Sequence, residues 1–263
     1  MIDLLLSQSL AIRTVMLPEV QAVIDAVPMD HQGVRHYKTA VIDWLLPVVD
    51  LRGWHVYPMN GVTEGLNWWS GTETRTVTMS VGDYQWIDPR PGQGGTIHYA
   101  SEPSAIDGHW RGVPQQQSVA LDLAYVGSTA PHSMALDSNV QHVFYSLSKS
   151  FGMRNTRTGW YFTREPDRKL EDLIYGAKYY NYHAHHCAEA VLSSFAIDHV
   201  WTRLRDLQQR ACDQLNLKAS DSVWLATSTD PAWTKFRRQG DIARICLAPL
   251  YKQWLATDEV QDV

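Results

Sequence analysis

Cysteine is scarce in this chain: only Cys187, Cys212 and Cys246 occur, and no two of them stand in a C-x-x-C pair. That excludes a disulfide-stapled scaffold and a cysteine-rich zinc site. Charge of one sign is not in excess either. The 23 basic and 28 acidic residues leave a formal net charge of -5, which argues against a general binder of nucleic acid or of an anionic membrane. No uninterrupted apolar run reaches the roughly 18 residues that a membrane span needs. Asp3 precedes Leu4-Leu5-Leu6 with no basic segment ahead of them, so no secretory signal is expected and the expected setting is the cytoplasm. Internal repeats and low-complexity tracts are lacking as well. What the chain does have is length and apolar content. Its 263 residues, 44% hydrophobic and 19% charged, suffice for one large domain, alone or with a small companion.

Residues 1–30 read as an arm interrupted by Pro18 and Pro28, ahead of a turn at Asp30-His31-Gln32-Gly33. From Arg35 to Leu51, the apolar residues Ala40, Val41, Trp44, Leu45 and Val48 recur at helical spacing, with Pro47 placed to kink or shorten the helix. Asn60 to Leu66 reads as a turn feeding another helix. Short β-rich runs follow at Arg75–Val81, Thr96–Ala100, Ser118–Tyr125, Val140–Ser146 and Gly159–Thr163, separated by glycine and proline clusters. Helical stretches around them favour an α/β fold with a mostly parallel central sheet and flanking helices. Beyond Asp167 the pattern is mostly helical; Val200, Leu204, Leu207, Ala211 and Leu215 mark a long amphipathic helix. It leads to a small terminal α+β unit with strands expected at Ser222–Ala226 and Ala243–Leu247. The expected division is an arm at 1–30, a large domain at 31–197 and a small C-terminal domain at 198–263.

The sharpest chemistry lies in Ser146-Leu147-Ser148-Lys149-Ser150-Phe151-Gly152, continuing to Arg157-Thr158-Gly159-Trp160. A lysine at a strand end becomes a nucleophile where its surroundings keep part of it neutral. Ser146, Ser148 and Arg157 together offer a phosphate hydroxyls and a forked guanidinium. The plain alternative is a solvent-exposed loop of scattered polar residues. Upstream, Ser118 to Tyr125 is a strand ending in Asp122-Leu123-Ala124-Tyr125, where Asp122 by itself could simply cap a turn.

In this order and spacing, the two motifs resemble the cofactor segments of fold-type I pyridoxal-phosphate (PLP) enzymes, the aspartate aminotransferase superfamily. The resemblance implies that Lys149 forms the internal aldimine with PLP and later shuttles the substrate's α proton. It implies that Asp122 pairs with the pyridine nitrogen and Tyr125 with the ring hydroxyl oxygen. Ser146, Ser148 and Arg157 match the phosphate-contacting positions. Asn60 to Leu66 is similar to the turn beneath the phosphate, where Val62, Thr63 and Glu64 offer backbone N–H groups; the alternative is an ordinary helix N-cap by Thr63. Val77 to Tyr84 resembles the segment that lays an aromatic ring over the cofactor, with Tyr84 the first choice and Trp86 the second. Phe236 to Ala248 is similar to the strand that presents an arginine to the substrate carboxylate, which here is Arg244. Departures are visible. Family members are usually much longer, Ala105 stands where the family commonly has an asparagine on the ring oxygen, and no tyrosine before Gly33 matches the one that reaches the partner's phosphate. His31 lies close to that place but carries no assignment.

The resemblance implies a PLP-dependent aminotransferase, working as a homodimer, that moves an amino group between an L-amino acid and a 2-keto acid. A carbon–sulfur or other β-elimination lyase is the alternative, because the same motifs serve several bond cleavages. A non-catalytic relative is the reading from another class. No metal is expected: on a helix, His183 and Cys187 share a face but no third ligand converges on them. Gly92-x-Gly94-Gly95 reads as a loop.

Overall fold

The computed structural model describes residues 12–28, 37–84, 86–115 and 117–258. Residues 1–11 of the expected arm, the turn after it and His31 therefore lie outside the described residues. Within the arm, Pro18 occupies the first turn of helix α1 (Pro18–Asp25), where its missing N–H costs nothing. Helix α2 (Tyr37–Leu45) stops two residues before Pro47 and is thus shorter than its apolar spacing implied. Val41, Trp44 and Leu45 face the core, and the Trp44 indole N–H donates to the Phe195 carbonyl at 2.8 Å.

Six strands form the larger sheet: β1 (His55–Met59), β2 (Thr76–Met79), β3 (Thr96–Ser101), β4 (Ser118–Asp122), β5 (Val140–Ser146) and β6 (Gly159–Thr163). Their order is β1-β6-β5-β4-β3-β2. Here the expectation of a mostly parallel sheet with flanking helices, the large-domain pattern of fold-type I, is corrected. From β2 to β5 the chain winds solenoid-fashion through three successive turns. Each new strand is laid parallel beside the last, and no helix occurs among the described residues of the three connections. The remaining two pairings, β5 with β6 and β6 with β1, are antiparallel. Glycine and proline fill the connections that the α/β pattern assigns to helices, so the chain crosses over by loops.

Strand β1 carries Pro58 in its interior. It pairs on one side only, with β6, and an edge strand tolerates a residue that cannot donate to a ladder. Helix α3 (Val62–Thr72) follows it directly. A second sheet, of order β7-β8-β10-β9, contains β7 (Lys218–Ala219), β8 (Leu225–Ser228), β9 (Arg237–Gln239) and β10 (Ile242–Cys246). The long helix His199–Leu215 precedes it and buries Val200, Leu204, Gln208, Ala211 and Cys212 along one stripe. One buried cluster runs through both sheets, taking in Leu121 and Val143 from the first and Ala226 and Ile245 from the second. No helix among the described residues is long and apolar enough to cross a membrane.

Candidate active site

Strands β3, β4 and β5 run parallel, so their carboxyl ends lie on one side of the sheet. Ser101 ends β3, Asp122 ends β4 and Ser146 ends β5. The chain leaving β5 makes one helical turn, Leu147–Ser150, which carries Lys149. Strand β6 is antiparallel to both β5 and β1, so β1 points the same way as β5 and helix α3 also starts at this end. The result is a cavity of about 280 Å³ lined by Lys149, Asp122, Tyr125, Ser146, Ser148, Thr63, Val62, Tyr84, Arg157 and Arg244.

Ten of the eleven residues expected from the sequence thus meet around one cavity. Glu64 does not line it, which corrects the expectation that its N–H faces an anion. That N–H donates to the Gly61 carbonyl at 3.2 Å, while the Glu64 carboxylate accepts a 3.0 Å bond from the Asn60 side chain. Thr63 is not the N-cap of α3. Gly61 holds that place, with φ of +91° and no side-chain cap bond, so the amides of the first turn are aimed without a competing side chain. A Cβ on Gly61 would sit 3.0 Å from the Arg157 guanidinium, and Arg157 Nε donates to the Asn60 carbonyl at 3.0 Å. Glycine is therefore what lets Arg157 lie against the helix start. Trp86 stays outside, 57% exposed, with its indole N–H bonded to Asn67 at 2.7 Å. Tyr84 lies within, its hydroxyl 3.4 Å from the Thr63 hydroxyl.

The two central groups have opposed electrostatics. Burial pulls the Lys149 amine down to about 8; Arg244 and Arg154 push the same way, while Cys246 and Asp122 act against it. Lys149 Nζ donates to the Ile12 carbonyl at 2.9 Å. Burial drives the Asp122 carboxyl up to about 6, against hydrogen bonds from Tyr99 and the Ala124 amide. The Tyr99 hydroxyl donates to Asp122 Oδ2 at 2.7 Å, and the Ala124 N–H to Oδ1 at 2.8 Å. Both carboxylate oxygens are thereby fixed. Arg244, on β10, is buried and donates to the Ala105 carbonyl. Ala105 lines the cavity itself, so no side-chain amide is offered from that position.

Sequence reading missed Tyr99, Ser101, Arg154 and Ile12. Tyr99 is opposite Ala120 in the β3–β4 register, two residues before Asp122, and so shares a sheet face with it. That signal appears only once the two strands are known to be neighbours. Ser101 links Asp83 to the loop, donating to Asp83 at 2.6 Å and accepting from the Ala105 amide at 2.7 Å. Elsewhere, His183 approaches Cys187 Sγ at 3.6 Å. No group of three or more potential metal ligands assembles among the described residues.

No family model matches the sequence, and no curated protein matches it. Solved structures do. The chain is similar to the apo form of BacF from Bacillus subtilis, with a TM-score of 0.67 at 13% identity over 91% of this chain and 89% of that one. An aminotransferase from Staphylococcus aureus gives 0.62 at 14% identity over 95% and 93%. A PLP-bound C–S lyase from Staphylococcus hominis, crystallised with L-cycloserine, gives 0.63 at 11% identity over 91% and 84%. At these identities the likeness shows an overall fold shared with aminotransferase and PLP-bound lyase structures.

Proposed function

We propose that the chain is a PLP-dependent aminotransferase that moves an amino group between an L-amino acid and a 2-keto acid. The observation that carries the reading is a buried amine and a buried carboxylate at the ends of adjacent parallel strands, Lys149 and Asp122, facing one cavity. The donor set fits PLP. An amine brought down to about 8 has an appreciable neutral fraction near neutral pH and reacts with an aldehyde. Hydroxyls of Thr63, Ser146 and Ser148, the open amides at the start of α3 and the Arg157 guanidinium meet the needs of a phosphate. Glu64 has no part in that cradle.

When bound, PLP supplies an electron sink for the bond broken at the substrate Cα. The chain supplies the rest. Lys149 would hold the cofactor through its amine and would carry the proton at the substrate Cα. Asp122 would face the pyridine nitrogen, and the Tyr99 and Ala124 bonds hold its oxygens in place. Tyr125 would serve the ring hydroxyl oxygen, without help from Ala105, and Tyr84 would pack against the ring. Arg244, oriented by its bond to the Ala105 carbonyl, would take the substrate carboxylate. The active form is read as a homodimer, as the resemblance implies.

A lyase reading competes because the fold is shared equally well with a C–S lyase structure. Products separate the two. Purified protein loaded with PLP is incubated with a panel of amino acids, with and without a keto-acid acceptor. Acceptor-dependent formation of a new amino acid supports amino transfer. Release of ammonia and a keto acid without an acceptor selects elimination, and no reaction with any donor contradicts both. Sedimentation velocity tests the dimer.

A further inference from the structure

The turn that carries Lys149 is too short to hold itself. Leu147–Ser150 is a helix of four residues, and a single helical turn is not stable alone. Its carbonyls need donors from elsewhere. The Leu147 carbonyl takes two amides from the chain that follows, Phe151 at 3.0 Å and Met153 at 3.3 Å. In a continuing α-helix the Met153 amide would point at Lys149 instead, so the Lys149 carbonyl is left over. It accepts the indole N–H of Trp224 at 2.6 Å, from 75 residues further along the chain. The Ser148 carbonyl accepts the Thr14 hydroxyl at 3.1 Å.

Trp224, buried and one residue ahead of β8, is itself held in place. Gln208 Nε2 donates to the Ser222 carbonyl at 2.9 Å and to the Leu225 carbonyl at 2.8 Å, on either side of it. The Val223 amide donates to the Ser128 carbonyl at 2.8 Å, and the Leu247 amide to the Trp224 carbonyl at 2.9 Å. Leu247 directly follows β10, which pairs with β8 and bears Arg244 and Cys246. Those two act on the Lys149 amine from β10, while Asp122 acts from the end of β4 and Arg154 from the loop after the turn. Trp224 thus joins the ladder that carries Arg244 to the turn that carries Lys149. A buried indole N–H needs an acceptor, and here the acceptor belongs to the lysine.

We propose that Trp224 is a positioning residue, whose indole N–H holds the Lys149 carbonyl and so fixes how deep the Lys149 amine sits and how it stands to Arg244. This rests on the reading of Lys149 as the PLP-bearing lysine. Without the N–H, the turn loses its donor from the second sheet and the amine moves outward into water.

The test follows formation of the visible band with PLP against pH in Trp224→Phe, beside Tyr251→Phe. The Tyr251 hydroxyl donates to the Val223 carbonyl at 2.5 Å, next to Trp224 in the chain, so its loss loosens the same unit without touching the Lys149 turn. In the unaltered protein the capture rate has its midpoint at about 8. Trp224→Phe moves that midpoint upward by about one pH unit, toward the ordinary lysine value of about 10.4. Tyr251→Phe leaves it in place. An unmoved midpoint in Trp224→Phe overturns the proposal, as does an equal shift in both variants. Phenylalanine also leaves a gap, so the titration is repeated with benzothienylalanine at position 224, which keeps the shape of tryptophan and lacks the N–H. The same upward shift is expected there, and an unshifted midpoint overturns the proposal. If the unaltered protein forms no Lys149-dependent band, the PLP reading itself fails. The midpoint of Lys149 is then read from reductive methylation with formaldehyde and cyanoborohydride, located by peptide mass spectrometry, and the same comparison of variants decides for or against Trp224.

Discussion

Two polar regions flank the larger sheet, and they treat buried charge in opposite ways. Along β5 and β6 lies a hollow of about 750 Å³ lined by Glu73, Arg75, Gln141, His142 and Tyr161, among others. There the buried carboxylate and the guanidinium beside it answer each other. Arg75 Nε donates to Glu73 at 2.8 Å and Arg75 Nη2 at 2.7 Å, and the His142 ring is 2.9 Å from the Tyr161 hydroxyl. Burial raises the Glu73 carboxyl, but the Arg75 bonds outweigh it and bring the group down to about 2. At the carboxyl ends of β4 and β5 the cavity is smaller and the charges are not settled. Lys149 is held near 8 and Asp122 near 6, each displaced toward its neutral form by burial. The larger hollow holds a closed Arg75–Glu73 pair that ties the segment before β2 to Gln141 on β5, while the smaller cavity keeps its groups close to neutrality, where they can exchange protons. The smaller cavity, not the larger hollow, is the one that leaves its charges incompletely neutralised.

The comparison breaks most sharply at Lys149. Lys149→Ala abolishes the visible absorption band that forms with PLP, together with turnover, and leaves the Glu73 network unchanged by thermal melt. Next comes Asp122→Asn, which removes the charge but keeps the shape. It lowers turnover by about 100-fold or more while PLP still binds, as expected for loss of an electrostatic group facing the reacting centre; stopped-flow absorbance with the preferred donor checks it.

On the structural side, Glu73→Gln lowers stability by on the order of 2 kcal/mol in urea melts and spares the absorption band. The sign with pH follows from the depressed carboxyl. Its contribution is complete above the unfolded value of 4.5 and is lost as pH falls through the folded value of about 2. The gap between variant and parent therefore closes between those pH values. The smallest effect is expected from Tyr99→Phe. Removing the donor to Asp122 raises that carboxyl above about 6, so the acid limb of the pH–rate profile moves upward and turnover falls only a few-fold.

Much of the cavity was legible in the sequence because its residues sit in short, ordered motifs. Asp122 and Tyr125 share one strand end, and Ser146, Ser148, Lys149 and Arg157 share the next, so a local pattern carries most of the site. Glu64 misled because its N–H is taken by the Gly61 carbonyl, a bond that a motif does not display. Tyr99 and Arg154 were invisible for another reason. One needs the β3–β4 register, the other needs a loop whose ends are fixed by Val15 and Gly61, both distant in sequence. Strands β2 to β6 could be found from their β-rich runs, whereas β1 was hidden by Pro58, acceptable only because the strand is an edge. The winding was misread because alternation of strands with other segments does not say whether a helix or a loop makes the crossing. The stretches at 80–95, 102–117 and 123–139 are rich enough in glycine, proline and small polar residues to cross by loop.

The central claim is that Lys149 is a buried amine poised to capture PLP. It is tested most directly by following formation of the visible band with PLP across pH 6 to 11, a range that takes in the ordinary lysine value of about 10.4. The neutral amine is the reactive form, so its capture rate should rise with pH through a midpoint near 8 and should vanish in Lys149→Ala. A midpoint at the ordinary lysine value, or a band that persists without Lys149, would contradict the account.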